Sequence, residues 1–445
     1  MLRVNSKKVE PGDTFLALKG QNTNGEDYIE EAIDKGAACI IASSGDYEVK
    51  TIITNDTRTY LSNYLRELNM ERFKKIKIIG IIGTYGKTST GSILYELLNN
   101  LNSKTSYLGS LGFYINEKKE NTEETTPDLY EIYEYINRSI DEECENIIIE
   151  LSNSSITKRH IEGLRFDVVI YTGTETNVTE DGHITDYVST KLDVVKMINK
   201  DGIVIINRND TYYEYLSLPQ NKNIFYGWAE SDYNISEVNL NYDKTYMKIN
   251  GEEFEIPLLG SKNASNFLAA YSAISSMEFE KEDIINACKN INQVDGRFQG
   301  IKHRENLVII DYAYTPKLIK NVIDIAKELR KGKIITIIGA SGNRREEMRP
   351  QIGRLVTEET DYAIFTTDNP RFEEPEKIIE DIISTVDRDN YEVIVSRKEA
   401  IKKGIDKLEE NDILLVLGKG NEDGQIIGSD PFPFKDYNEV KKHTK

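Results

Sequence analysis

The sequence predicts an α/β protein with mostly parallel sheets, and three observations carry that expectation. Near-continuous Ile/Val runs such as "ENIIIELS", "FDVVIYTG" and "GIVIINR" have the composition of strands covered on both faces. Amphipathic stretches such as "DLYEIYEYINRSI" separate them at helical spacing. A turn reading "GTYGKTST", residues 83–90, stands between one such strand and one such helix.

Taken in order, residues 1–75 form a small α/β unit. "DTFLAL" and "ACIIAS" read as strands, "DYIEEAIDKG" as a helix ended by Gly36, and "TRTYLSNYLRELNMERF" as a second helix. "KKIKIIGIIG" begins a new strand that enters the glycine-rich turn and the helix "KTSTGSILYELLNNLN". The strands quoted above follow, and helices at "NASNFLAAYSAISSM" and "KEDIINACKNI" close a central region spanning 76–296. After "VDGRFQGI" the alternation restarts with strands "LVIIDYA", "KIITIIGA", "DYAIFTTD", "YEVIVS" and "DILLVLG", which gives a third α/β unit over 297–445. At 445 residues the chain exceeds one ordinary core, and two to four domains are expected.

A formal net charge of −19 argues against a general nucleic-acid binder, which needs clustered Lys and Arg along the phosphates. It leaves room for anionic small molecules, because a local pocket can oppose the global field. Cys39, Cys144 and Cys288 match no metal or redox spacing and are expected to be packing residues. No window has the length and apolarity of a signal peptide or a membrane span, so a cytoplasmic protein without membrane partners is expected.

The turn carries the first chemistry. Gly83 and Gly86 let several backbone N–H groups face one anion at a helix N-terminus. Lys87 is expected to reach the β/γ-phosphates of a nucleotide, and the Thr88 hydroxyl to help hold Mg²⁺. Glu150 ends a buried strand, where a lone carboxylate is costly unless it meets a cation, and its hard oxygens suit Mg²⁺.

The loop is shorter than the common G-x-x-x-x-G-K-[ST], and its form G-T-x-G-K-T-[ST], using Thr84 and Ser89 as well, resembles that of the Mur ligase family. The resemblance extends over nearly the whole chain: "VEPGDTFLALKGQNTNGEDYIEEAIDKGAACII", "TTPDLYEIY", "IIIELSNSS", "GLRFDVVIYT", "GSKNASNFLAA", "VDGRFQGI", "VIIDYAYTP", "DNPRFEEP" and "LGKGNEDGQIIG" follow in the family's order. It implies a three-domain architecture, with a uridine-binding N-terminal α/β domain, a central P-loop ATPase-like domain with a parallel sheet, and a Rossmann-like C-terminal domain. It also implies an ATP-dependent ligase that joins an amino acid to a carboxylate through an acyl phosphate, here the third residue of a UDP-N-acetylmuramoyl peptide. A monomer is expected.

Site roles implied by the resemblance are as follows. Glu150 holds a second Mg²⁺ together with His183, and Lys191 joins them as a carbamylated, anionic oxygen ligand. Ser6 stands near the uridine, although its neighbours are Asn5 and Lys7 where the family has Asp and Arg. Thr125 and Thr126 contact the muramoyl portion, Ser152 lies near the peptide, and either Arg159 or His160 contacts that peptide. Asn263 and Asn266 lie on the adenine side, with Arg297 and Asp311 at the nucleotide. Arg344, Asn369, Arg371, Gly418 and Glu422 receive the far carboxylate and amine of meso-diaminopimelate, a reading that the bidentate fit of guanidinium to carboxylate supports. Tyr314, Asn421 and Ser154 replace family histidines. Two other readings are weighed: a paralogue that joins a different amine or acyl acceptor, and a non-catalytic partner that binds the nucleotide alone.

Overall fold

The computed structural model describes residues 1–20, 23–173, 190, 193–228, 230–277 and 279–444. They divide into two compact units, one of Met1–Lys87, Ser103–Ile206 and Asp210–Asn223, the other of Thr88–Asn102, Asn207–Asn209 and Ile224–Lys445.

The first unit contains two sheets. The smaller is all parallel, with strands Leu2–Arg3, Thr14–Leu16, Cys39–Ala42 and Lys50–Ile53 in sequence order. Its core joins Phe15, Ala17, Ile40 and Ala42 to Ile29 and Ala32 of helix Ile29–Asp34. Helix Thr57–Phe73 starts where the Asp56 carboxylate accepts from the N–H groups of Arg58 and Thr59, each at 3.0 Å. That cap satisfies donors the helix leaves open. The helix lies against helix Leu129–Asp141 through Phe73 and Tyr133, ring centroids 4.9 Å apart, and through Asn137, whose amide donates to Asn69 at 2.8 Å.

The larger sheet runs Ile198–Asn207, Phe166–Tyr171, Lys77–Ile82, Asn146–Leu151, Thr105–Gly109 in parallel. Gly112–Ile115 and Lys118–Glu120 then extend it antiparallel. The sequence reading passed over Thr105–Gly109, Gly112–Ile115 and Lys118–Glu120; the last is exposed at every residue and has no apolar periodicity to mark it. Strand Lys77–Ile82 lies between neighbours that come later in the chain, so the loop after it opens at a reversal of strand order. Such reversals create a crevice at the carboxyl ends of the strands.

In the second unit, Tyr233–Leu240, Thr245–Ile249 and Glu252–Ile256 are an antiparallel meander that the expectation of parallel strands missed. Its outward residues are charged, so its alternation reads weakly. Phe254 packs on Phe267 and Tyr271 of the buried helix Gly260–Ser275. The C-terminal sheet runs Gln299–His303, Asn306–Asp311, Ile413–Leu417, Ile334–Ile338, Tyr362–Phe365, Tyr391–Val393, parallel after its first pair. Leu307, Ile309, Ile338, Phe365 and Leu415 point to helices Pro316–Leu329, Arg349–Glu359 and Pro375–Ile383. The alternate residues Val308, Ile310, Ile337, Ile364 and Leu414 pack on Arg397–Asp406 and Asp436–His443. Burial on both faces explains the unbroken apolar runs, each such side chain contributing about 1.5–3 kcal/mol.

Cys39, Cys144 and Cys288 are buried free thiols, as packing residues should be. Among the described residues, no helix is long and apolar enough to cross a membrane.

Candidate active site

The loop after strand Lys77–Ile82 is built around glycines for steric reasons. Gly83 has φ 157°, and a Cβ there would stand 2.0 Å from Thr172 Oγ1; Gly86 has φ 82°. Thr84 N–H donates to Gly173 O at 2.8 Å, which ties the loop to the end of the neighbouring strand. Lys87 opens helix Lys87–Asn100, and its Nζ donates to Gly83 O at 2.9 Å, so the ammonium lies across the loop. Thr88 and Ser89 follow in the first helical turn, both buried. A positive helix end and a lysine over the loop together favour a phosphate.

Glu150 is fully buried one residue from the end of strand Asn146–Leu151, and pairing sets it beside Ile81, two residues before Gly83. Its Oε1 accepts from Tyr107 Oη and from Ser110 N–H (3.1 Å), and its Oε2 from Ser110 Oγ (3.3 Å). A Cβ at Gly109 would meet that carboxylate at 2.3 Å, so the glycine makes room for it. Thr125 Oγ1 lies 3.0 Å from Ser110 Oγ, and Thr126 Oγ1 donates to Glu150 O at 2.7 Å while accepting from Ser152 N–H at 3.0 Å. Thr125 and Thr126 from one stretch, and Glu150 and Ser152 from another, thus form one oxygen-rich cluster. Among the described residues, no group of three or more His, Cys, Asp or Glu gathers for a metal. One fixed carboxylate among hydroxyls nevertheless fits Mg²⁺, which keeps most of its waters and draws its other ligands from phosphates. His183 and Lys191 lie outside the described residues.

A cleft of about 770 Å³ runs from Lys19 and Asn24 past Pro127 and Asp128 to Arg159 and His160. The two candidates for the peptide contact differ sharply. Arg159, with φ 62°, binds Asp56 (2.8 Å) and Thr59 (2.7 Å) as well as Glu162, and these partners hold its guanidinium strongly basic. His160 is buried, its Nδ1 3.3 Å from Thr126 O and its Nε2 3.7 Å from Asp128. A second cleft, about 580 Å³, is lined by Asn5, Ser6, Lys7, Gly20, Tyr28, Arg58 and Tyr130. Ser6 Oγ donates to Glu31 at 2.6 Å, and Asn5 Oδ1 caps the short turn by accepting from Lys7 N–H at 2.9 Å.

In the second unit, Asn266 Nδ2 donates to Asn263 Oδ1 at 3.2 Å and Asn263 Nδ2 to Leu259 O at 3.1 Å, both residues buried at the start of helix Gly260–Ser275. Asp311 ends its strand and accepts from Phe298 N–H (2.7 Å) and Ala313 N–H (2.8 Å); burial raises its carboxyl, and Arg297 opposes that rise. Arg297 stacks over Tyr312 at 4.7 Å and donates to Asn421 Oδ1 at 2.9 Å. Asn421 thereby keeps a polar attachment to that arginine. Tyr314 packs edge-on against Tyr312 and is half exposed.

The residues expected to receive the amino acid lie at the carboxyl ends of the C-terminal strands. Arg344 follows Ile334–Ile338, Asn369 and Arg371 follow Tyr362–Phe365, and Gly418 and Glu422 follow Ile413–Leu417. Asn369 Nδ2 donates to Glu422 Oε2 at 2.9 Å, Arg344 is exposed, and Arg371 has φ 55° with its Nε buried and unpartnered in the protein. Gly418, at φ 112°, stands where a Cβ would strike Asp368 at 2.6 Å. Sequence reasoning missed Lys419: its fully buried Nζ donates to Asn369 Oδ1 (2.9 Å) and Glu422 Oε2 (2.8 Å). The ammonium beside Glu422 in the structure is therefore the protein's own. The lysine stood in the quoted "LGKGNED", but nothing in its spacing says that it turns inward.

A glycine-rich G-K-T loop after a strand of one sheet, and arginine, asparagine and glutamate side chains after strands of another, are features an ATP-dependent ligase can use. The chain belongs to the Mur ligase family. Residues 1–77 match its catalytic domain, 81–274 the Mur ligase middle domain and 296–420 the glutamate ligase domain. It is 34% identical to the UDP-N-acetylmuramoyl-L-alanyl-D-glutamate–2,6-diaminopimelate ligase of Aquifex aeolicus, over 99% of this chain and 92% of that one. The ligase of the same name from Clostridium perfringens is 32% identical over 97% and 92%. A solved structure of a 2,6-diaminopimelate ligase covers 99% of this chain and 94% of its own at TM-score 0.72 and 24% identity. The MurF ligase of Thermotoga maritima in complex with ADP covers 99% and 96% at TM-score 0.63 and 17% identity. These two share the three-part α/β fold.

Proposed function

We propose that this protein joins meso-diaminopimelate to the γ-carboxylate of D-glutamate in UDP-N-acetylmuramoyl-L-alanyl-D-glutamate, forming ADP and phosphate, in peptidoglycan precursor synthesis. The observation that carries this reading is the pairing of near-full-length relatives of that name with a C-terminal pocket holding Arg344, Asn369, Arg371 and Glu422. On this reading the chain has three working parts, 1–75 for the uridine end, 76–296 for ATP and 297–445 for the incoming amino acid. The enzyme acts as a monomer in the cytoplasm.

The cleft lined by Ser6 and Tyr28 takes the uridine end of the acceptor, and the cleft ending at Arg159 and His160 takes the sugar and peptide. Thr125 and Thr126 hold the muramoyl portion and Ser152 the peptide, so that its γ-carboxylate faces the loop. Gly83, Thr84, Gly86, Lys87, Thr88 and Ser89 cradle the phosphates, and Lys87 stabilises charge as the γ-phosphoryl group transfers to the carboxylate. Thr88 and Glu150, with His183 and a carbamylated Lys191, are the residues that would hold two Mg²⁺ ions. When bound, those ions neutralise the crowded phosphate and carboxylate oxygens. Asn263, Asn266, Arg297 and Asp311 position the nucleotide. The amine, held in the C-terminal pocket, then displaces phosphate from the acyl phosphate, and orientation supplies much of the rate.

Phosphate release measured with each substrate omitted in turn tests the reading, with mass spectrometry of the product from a mixture of amino acids. Release that needs the muramoyl dipeptide and an amine supports it. Release with another acceptor supports the paralogue, and no turnover supports a nucleotide-binding partner. Partial rescue of Lys191→Ala by short carboxylates is expected if that lysine works as a carbamate.

A further inference from the structure

Lys419 is the feature of the C-terminal pocket that the proposed mechanism leaves unused. It is fully buried, yet it follows Gly418 directly at the end of strand Ile413–Leu417. Its ammonium makes two contacts, with Asn369 Oδ1 at 2.9 Å and Glu422 Oε2 at 2.8 Å. A second donor, the Ile426 N–H, reaches the same Asn369 Oδ1 at 2.9 Å. Lysine and backbone N–H can only donate, so the two together dictate which end of the amide is oxygen. Asn369 Nδ2 is thereby turned to Glu422 Oε2, 2.9 Å away. Asn369 Nδ2 and the Lys419 ammonium both donate to that one oxygen of Glu422, and the second carries a full positive charge.

We infer that Lys419 is a specificity-determining residue, a built-in counter-ion that occupies Glu422 and so turns the pocket against amines whose far end is only an ammonium. The inference rests on the proposal that this pocket receives the amino-acid substrate. A far-end ammonium arriving at Glu422 finds the charge of that carboxylate already met, and a buried cation within 3 Å of it repels the newcomer. A far-end carboxylate has Arg344 and Arg371 to bind, and its charge offsets the repulsion. Selection thus comes from an unfavourable element as much as from an attractive one. Lys419 also acts through Asn369, since without it the amide loses one of the two donors that fix its orientation.

The test uses the full-length protein and two amines, meso-diaminopimelate and L-lysine, in single-substrate kinetics and in calorimetric binding. Lys419→Met removes the counter-ion at similar volume, and Lys419→Arg retains the charge. The ratio of kcat/KM for the dicarboxylate over lysine is expected to fall at least tenfold in Lys419→Met, mostly through a lower KM for lysine. The ratio should hold within about threefold in Lys419→Arg, with the KM for ATP unchanged in both. If the Met variant does not fold, Lys419→Gln keeps a hydrogen bond without the charge and carries the same expectation. A wild-type enzyme that prefers the dicarboxylate, with a ratio unmoved by Lys419→Met or Lys419→Gln, overturns the inference and leaves the amino-acid reading standing. A wild-type protein that neither binds nor uses the dicarboxylate in preference to lysine overturns both.

Discussion

Gly83 and Lys87 show how little sequence the phosphate loop needs, and how strictly each residue is constrained. Gly83→Ala would place a methyl group 2.0 Å from Thr172 Oγ1, and either the loop or the end of the next strand must move. Loss of turnover is expected, with destabilisation of about 1–3 kcal/mol in urea unfolding. Lys87→Ala should fold normally and lose on the order of 3 kcal/mol of transition-state stabilisation, about a hundredfold or more in rate. Near-normal phosphate release by a folded Lys87→Ala protein would remove the loop from the mechanism. The thiols make a separate prediction: burial pushes Cys288 up to about 12 and raises Cys144. The native protein should therefore react slowly with a thiol reagent at pH 8 and release its full complement of three only when unfolded.

Among elements, the two loops that carry Arg344 and Arg371 are tied together by a third, buried arginine. Arg349, 1% exposed, binds Glu373 and Asp381 at 2.8 Å and reaches Ser341 O at 3.4 Å. Glu373 also accepts from Asn343 N–H, and Gly342 N–H donates to Asn369 O at 2.9 Å. Hydrogen bonding to Arg349, and then to Asn343, holds the Glu373 carboxyl below its ordinary value. Glu373→Gln is therefore expected to raise the KM for the amine several-fold with the KM for ATP unchanged. Equal effects on both would make the clamp a general stability feature. At helix Thr57–Phe73 the capping carboxylate of Asp56 is also depressed. Burial would raise it, but the Thr59 N–H and the Arg159 guanidinium outweigh burial and bring it down to about 2. Its contribution is present above the ordinary aspartate value near pH 4 and is lost as pH falls towards 2. Urea unfolding across that window should show a shallower loss of stability in Asp56→Asn than in the wild type.

For the whole molecule, a net charge of −19 coexists with cationic residues at the proposed anion sites, Lys87 at the loop and Arg344, Arg371 and Lys419 at the proposed amino-acid pocket. The prediction at this scale is amine selectivity. Lysine lacks the carboxylate that Arg344 and Arg371 are proposed to receive, so discrimination against it should exceed the about 1–3 kcal/mol that a missing methylene brings. Arg371→Ala should raise the KM for meso-diaminopimelate far more than that for ATP. Equal or better turnover with L-lysine would refute the pocket and leave the ligase standing.

By itself the sequence determined the alternation of strand and helix, the phosphate loop and the residue types of the site, because these are local or periodic properties. Ile/Val runs reveal strands buried on both faces, and G-K-T between strand and helix reveals an anion site whatever surrounds it. Exposed strands such as Lys118–Glu120 escaped, since pairing with the neighbouring strand Gly112–Ile115 holds this one in place and no apolar pattern marks it. Only the tertiary structure set Glu150 beside Ile81, engaged Arg159 with Asp56 and Glu162 while burying His160 on Thr126, and turned Lys419 inward onto Asn369 and Glu422. Lys419 and Asn369 are 50 residues apart. Which partner a charged side chain takes is decided by which strands end side by side, and strand order is a property of the packed sheet that no local spacing encodes.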